Sequence, residues 1–216
     1  MFFSKQEPQP QQVATRSGRR PGQSAREKQK ELADAAPIKT FFARLFNFKT
    51  DEWSWRMGAE GEERVGAILE QLRPLGWHIE HDVRVGRRGA NLDHLVIGPP
   101  GVFVLNTKKL SGSVRVDGAE IRVARRRRNY VEELEAEAQR TRQCLLGATG
   151  RQKLWVQGLL VLANRKPKVQ QQPRNVEVLH HSGLVKNLQA RPARLERSEM
   201  EALVEAARRE DTWSEL

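Results

Sequence analysis

Apolar positions follow two different periods along this chain, and the switch between them marks out its elements. Val65, Ile68, Leu69 and Leu72 recur at helical spacing, and Pro74 and Gly76 end the run, so a helix is predicted over 59–73. Residues 77–85, 91–97 and 102–107 alternate or run apolar over short stretches and read as strands. Ser113–Val116 and Ile121–Ala124 flank Asp117-Gly118, a hairpin signal. A second helix is predicted over 130–147, ending at Gly147. Leu154–Leu162 is a short apolar run holding Val156 and Val161, which favours a buried strand. Val176–Leu179 reads as a last strand, and Ser198-Glu199-Met200-Glu201 has the capping-box pattern that opens a helix. This order predicts an α/β fold with a mixed central sheet flanked by helices. No internal repeat is visible.

Two stretches precede that pattern. Residues 1–37 are rich in Gln, Pro, Arg, Lys and Ser without an apolar period, which predicts a disordered basic tail. The first 50 residues carry ten Lys/Arg against four Asp/Glu, so more than half of the chain's +11 lies there. Residues 38–57 crowd Ile38, Phe41, Phe42, Leu45, Phe46, Phe48, Trp53 and Trp55 among Lys39, Arg44, Lys49 and Arg56. Their spacing predicts an amphipathic helix that packs its aromatic face on the domain. A membrane-surface helix or a docking face for another subunit fits the same pattern. The expected division is 1–37 tail, 38–57 aromatic segment, 58–190 folded domain and 191–216 C-terminal helix.

Charge changes the picture further. Lys and Arg number 38 against 27 Asp and Glu, a surplus that attracts polyanions such as nucleic acid or an anionic membrane surface. Cys144 is the single cysteine, so neither an intrachain disulfide nor a cysteine zinc site can form, which fits a reducing compartment. No secretory h-region follows Met1, and no apolar run is long enough to span a bilayer. A cytoplasmic location is expected.

The chemistry concentrates in Asn91-Leu92-Asp93-His94-Leu95-Val96-Ile97-Gly98-Pro99-Pro100-Gly101-Val102-Phe103-Val104-Leu105-Asn106-Thr107-Lys108. Alternation puts Asp93 on the face of Leu95 and Ile97, and Asn106 on that of Lys108. An antiparallel turn through Gly-Pro-Pro-Gly brings Asp93 beside Asn106 and Lys108. One carboxylate, a polar residue and a lysine at neighbouring strand ends suit metal-dependent phosphodiester cleavage. His94 faces the other way and reads as a satisfied buried histidine. His78, His81, His180 and His181 read as structural. No Ser/His/Asp triad, P-loop or dinucleotide-binding loop is present.

Gly58-Ala59-Glu60-Gly61-Glu62-Glu63-Arg64-Val65, then Asn91–Ile97, then Gly101–Lys108 and Gly112 resemble, in order and spacing, the nuclease-related domain (NERD). That family is placed among the PD-(D/E)xK, restriction-endonuclease-like proteins, and the likeness covers roughly residues 58–165. The resemblance implies a central mixed sheet between helices and a divalent-metal nuclease activity with Mg²⁺ or Mn²⁺. By that likeness Asp93 and Lys108 match the family's aspartate and lysine. Glu62 matches the glutamate of its helix start, and Glu137 or Gln139 its helical polar residue. Asn106 departs from the superfamily's usual acid, giving an Asn-Thr-Lys variant.

The expected metal ligands are therefore Asp93, the neutral oxygen of Asn106, the Thr107 backbone carbonyl and Glu62, with Lys108 as the catalytic lysine. Glu62 shares the helix face of Val65 and Leu69 and so reaches the sheet. Lys109, Arg122 and the run Arg125, Arg126, Arg127 and Arg128 are the candidate phosphate grips. DNA or RNA is the expected partner, and a homodimer is compatible with the superfamily. The alternatives are a nucleic-acid-binding module without catalysis, favoured by Asn106, and a membrane-surface or scaffold protein using residues 1–57.

Overall fold

The computed structural model describes residues 18–34, 51–85 and 90–214. A five-stranded sheet forms its centre. β1 (His78–Val85), β2 (Ala90–Gly98) and β3 (Gly101–Lys108) are antiparallel neighbours. β7 (Val156–Leu162) and β9 (Val176–His180) continue the sheet parallel to β3, in the order β1-β2-β3-β7-β9. A second sheet holds β4 (Val114–Asp117), β5 (Glu120–Val123), β6 (Arg126–Arg128) and β8 (Lys168–Gln171), in the order β6-β5-β4-β8. The helices are α1 (Gln23–Asp34), α2 (Asp51–Leu69), α3 (Tyr130–Thr149), α4 (Leu184–Gln189) and α5 (Arg197–Arg208). The expected α/β class and mixed sheet are what the chain adopts.

Period-two alternation builds the two cores. Leu95, Ile97, Val102 and Val104 face Val131, Leu134 and Leu145 of α3, Leu203 of α5 and the buried Trp213. Val96, Phe103 and Leu105 face Val65 and Leu69 of α2 and Leu184 and Leu188 of α4. Burying each such side chain stabilises the fold by about 1.5–3 kcal/mol. Gly98 and Gly101 pair directly across the Pro99-Pro100 turn, as the spacing predicts. Gly98 is required for a second reason: a Cβ there would run into the Trp77 ring.

Several boundaries differ from expectation. α2 starts at Asp51, eight residues before the start at 59 read from the sequence, and its last turn continues as a 3-10 turn over Glu70–Leu75. Of the 38–57 aromatic segment, residues through 50 lie outside the described residues, and from Asp51 it is helix. Of the expected basic tail, residues 1–17 and 35–37 lie outside the described residues, but Gln23–Asp34 is helical. α1 is polar on most of its surface and buries Ala25. Ionic and polar ties hold it in place: Arg26 pairs with Glu63 of α2, and Asp82 receives Ser24. The C-terminal helix opens two residues earlier than read, with Glu196 and Glu199 forming the capping box in place of Ser198 and Glu201. Of the arginine run, Arg126–Arg128 form an edge strand paired to β5, and Arg125 lies in the turn before it.

Candidate active site

β2 pairs with β3 from Gly98 back to His94 and no further; before His94, β2 pairs with β1 alone. Past Leu105, β3 pairs only with β7. The two strands therefore fork, and Asp93, Asn106 and Lys108 stand at the fork. A fork in a sheet is where helices on both faces can send a side chain to one point. α2 sends Glu62 and α3 sends Glu137.

Asp93 does a backbone's work at the fork. Its Oδ2 accepts the Thr107 N–H at 2.6 Å, replacing the ladder bond that β2 no longer supplies. A strand residue's N–H and C=O leave on the same edge, so the Thr107 carbonyl opens on the side where Asp93 lies. The Thr107 side chain turns away and is buried against Gly61. Lys108 places its Nζ 5.4 Å from the centre of the Tyr130 ring at the start of α3, a cation–π contact that holds the ammonium beside the acids. Asn106 donates from Nδ2 to Glu137 Oε1 across 3.4 Å.

Burial and crowding of like charge drive the three acids the same way. Burial pushes the Glu62 carboxyl up to about 9, helped by Asp93 and Asp82, while Lys108 and the Gly22 N–H pull it back. Glu137 rises to about 7 through burial and the nearby Asp93, against Lys108, Asn106 and Arg140. Asp93 rises through burial and Asp82, against Lys108 and the Thr107 N–H. Two acceptors here are buried with no hydrogen-bond partner among the described residues, Asn106 Oδ1 and Glu137 Oε2. Leaving such an atom unpaired costs about 1–3 kcal/mol.

A divalent cation fits this chemistry, since it would satisfy both orphaned oxygens and relieve three strained acids at once. Among the described residues, no group of three or more His, Cys, Asp and Glu side chains is arranged to hold a metal by itself. Mg²⁺ and Mn²⁺ do not require one: Mg²⁺ in particular uses one or two carboxylates and keeps several waters.

Asp82 was missed in the sequence reading. It is 2% exposed, lies on β1 opposite Asp93, and adopts a positive φ of 52°. It accepts from Arg19 Nε at 2.7 Å, Ser24 N at 3.0 Å, Ser24 Oγ at 2.9 Å and Asn91 Nδ2 at 2.8 Å. These bonds dock residues 19–24 beside the fork, where the Gly22 N–H meets Glu62 and Pro21 covers Gly66. An aspartate in the middle of a strand, where that residue is uncommon, was the one available signal.

The remaining candidates divide. Lys109 is paired with Glu60, Arg122 with Glu120, and Arg127 with Glu132 at 3.5 Å. Arg125, Arg126 and Arg128 are exposed and lead into Tyr130, which carries the run to Lys108. Gln139 is exposed, so Glu137 is the α3 residue at the fork. His94 is buried on the opposite face, with Nδ1 2.9 Å from His81 Nδ1, and His81 Nε2 lies 2.8 Å from Glu70.

No curated protein and no solved structure matches the chain. No helix among the described residues is long and apolar enough to cross a membrane. Residues 57–163, which include both strands of the fork and the acids from both helices, match the nuclease-related domain, and by that domain the chain belongs to the NERD family.

Proposed function

We propose that this protein is a metal-dependent nuclease that hydrolyses phosphodiester bonds in DNA or RNA at the β2–β3 fork. The observation that carries this reading is the convergence of Glu62, Asp93 and Glu137 on Lys108, with two buried oxygens left unpaired. Asp93 and Asn106, with one of Glu137 and Glu62, are the side chains that would hold Mg²⁺ or Mn²⁺, with the Thr107 carbonyl as a backbone donor. The ion would polarise the phosphate and acidify a bound water. Asp93, fixed by the Thr107 N–H, orients the site. Lys108 neutralises charge that develops on the phosphate oxygens. Arg125, Arg126 and Arg128 grip flanking phosphates.

Asn106 supports a second reading, a nucleic-acid-binding module without hydrolysis, because it supplies no charge where an acid would. One assay separates the two. Plasmid and single-stranded substrates are incubated with the protein and Mg²⁺, Mn²⁺ or EDTA, and the wild type is compared with Asp93→Ala and Lys108→Ala. Metal-dependent cutting that both variants lose by 100-fold or more, on the order expected for such groups, supports the nuclease. Salt-sensitive binding without cutting by the wild type supports the binding module.

A further inference from the structure

The opposite end of β3 carries a second feature, unconnected with the fork. A cleft of about 430 Å³ opens between the starts of β3 and β7 and the segment 191–195. Its lining includes Arg142, Arg151, Lys153, Arg191 and Arg194 and, among the described residues, no acid. Trp155 forms part of the wall and is 56% exposed. An indole left in water forgoes a large burial gain, and aromatic side chains bury roughly 150–250 Å² when covered. Its position is not loose: Trp155 Nε1 donates to Gln157 Oε1 at 3.2 Å.

The cations around it fall into two kinds. Arg142 donates to the Leu154 carbonyl, Arg151 pairs with Glu199, and Arg191 pairs with Glu177 while lying 5.0 Å from the centre of the Phe103 ring. These three shape the cleft. Lys153 and Arg194 are exposed and have no acid partner among the described residues. A concave, acid-free cleft with one oriented aromatic face and two uncommitted cations has the complementarity of a flat ring joined to phosphate. A membrane surface would call for a patch of exposed apolar side chains, and Trp155 is the one large exposed apolar side chain in this lining among the described residues. A duplex offers no unstacked base.

We infer that this cleft is a binding subsite for single-stranded nucleic acid, in which one base stacks on Trp155 and the adjoining phosphates lie on Lys153 and Arg194. Lys108 lies five steps along β3 from Phe103, about 17 Å at strand rise, so the subsite lies several nucleotides from the fork. The inference rests on nucleic acid being the partner, as proposed above, and is independent of cleavage.

The test is fluorescence anisotropy of fluorescein-labelled oligodeoxythymidine and oligouridine with the full chain in EDTA. Trp155→Ala should weaken binding about 5- to 100-fold, and Trp155→Phe should restore most of it. Lys153→Glu with Arg194→Glu should flatten the dependence on salt. Binding of an oligonucleotide duplex should not change. Unchanged single-strand binding in both variants overturns the subsite. So does loss, in Trp155→Ala, of anionic-vesicle binding or of self-association with oligonucleotide binding intact. Cleavage is scored separately with Mn²⁺. Loss of binding in Trp155→Ala alongside a wild type that never cuts leaves the subsite standing and removes the nuclease; the converse leaves the nuclease and removes the subsite.

Discussion

Asp93 and His94 are neighbours in one strand, and each anchors a buried polar cluster on its own side of the sheet. The His94 cluster is sealed and neutral, although His94 Nε2, expected to be satisfied, has no hydrogen-bond partner among the described residues. His94 is fully buried, its ring meets His81 edge-on, and His81 passes the chain of hydrogen bonds on to Glu70. Burial holds His94 neutral, well below its usual range, and the adjacent His81 adds to this. The Asp93 cluster is open at the fork, holds three acids raised from their usual range, and leaves two oxygens unpaired. Polar burial that stays neutral, as His94 does, serves the fold. Polar burial that is crowded with one charge and left short of partners is maintained against stability, which is the mark of a site.

Substitution should separate the two clusters most sharply. His94→Ala removes a fully buried ring and strips His81 of its partner, and should destabilise the fold by about 3 kcal/mol. Asp93→Asn keeps an oxygen for the Thr107 N–H but removes one of the crowded charges, so stability should hold or rise by up to about 1 kcal/mol. Urea unfolding of both variants measures the contrast. If Asp93→Asn proves as damaging as His94→Ala, the Asp93 cluster is structural and the comparison collapses.

Asp82 links the fork to the N-terminal segment and tests the contrast from a third side. Asp82→Ala leaves Arg19, the Ser24 amide and Asn91 without their acceptor, at a cost of about 2–3 kcal/mol. Hydrogen exchange should show α1 losing protection while the β1–β2 ladder keeps it. Unchanged protection in α1 would mean that its contacts with α2 suffice.

The β2–β3 hairpin and its fork residues were legible because period-two alternation and paired glycines are local signals. Asp93, Asn106 and Lys108 could be placed together from residue spacing alone. Asp82 could not, since its donors lie about 60 positions away at Arg19 and Ser24. α1 was read as tail for a related reason: an almost wholly polar helix has no apolar period, and what docks it is charge pairing with Glu63 and Asp82. β8 has four exposed residues and exists only because β4 offers it an edge. α4, at six residues, is too short to show a period. Glu137 was one of two alternatives because sequence fixes a helix's residues but not the rotation of its faces.

A divalent ion should act on one cluster only. Mn²⁺ at about 100 times its dissociation constant would add close to 2.7 kcal/mol, or roughly 5–10 °C in Tm for a chain of this size. The shift should vanish in Asp93→Ala and persist in His81→Gln. A shift that survives Asp93→Ala would place the ion elsewhere.

The smallest effect isolates one acid. The Glu137 carboxyl is raised to about 7, while in the unfolded chain it titrates near 4.3. At pH 4 both states hold the proton and the group contributes nothing. As pH climbs from 4.3 to 7, the unfolded chain releases its proton while the folded one retains it, so stability falls; above 7 both have released it and the loss is complete. Glu137→Gln removes that loss. The variant should match the wild type at pH 4, gain through neutrality, and hold a constant lead of about 1 kcal/mol above pH 7, an amount set by partial solvent screening of a half-buried group. Thermal melts across that range measure it. A gap that does not change with pH would mean that Glu137 titrates as an ordinary surface acid, and the fork would then lack the charge stress that distinguishes it from the His94 side.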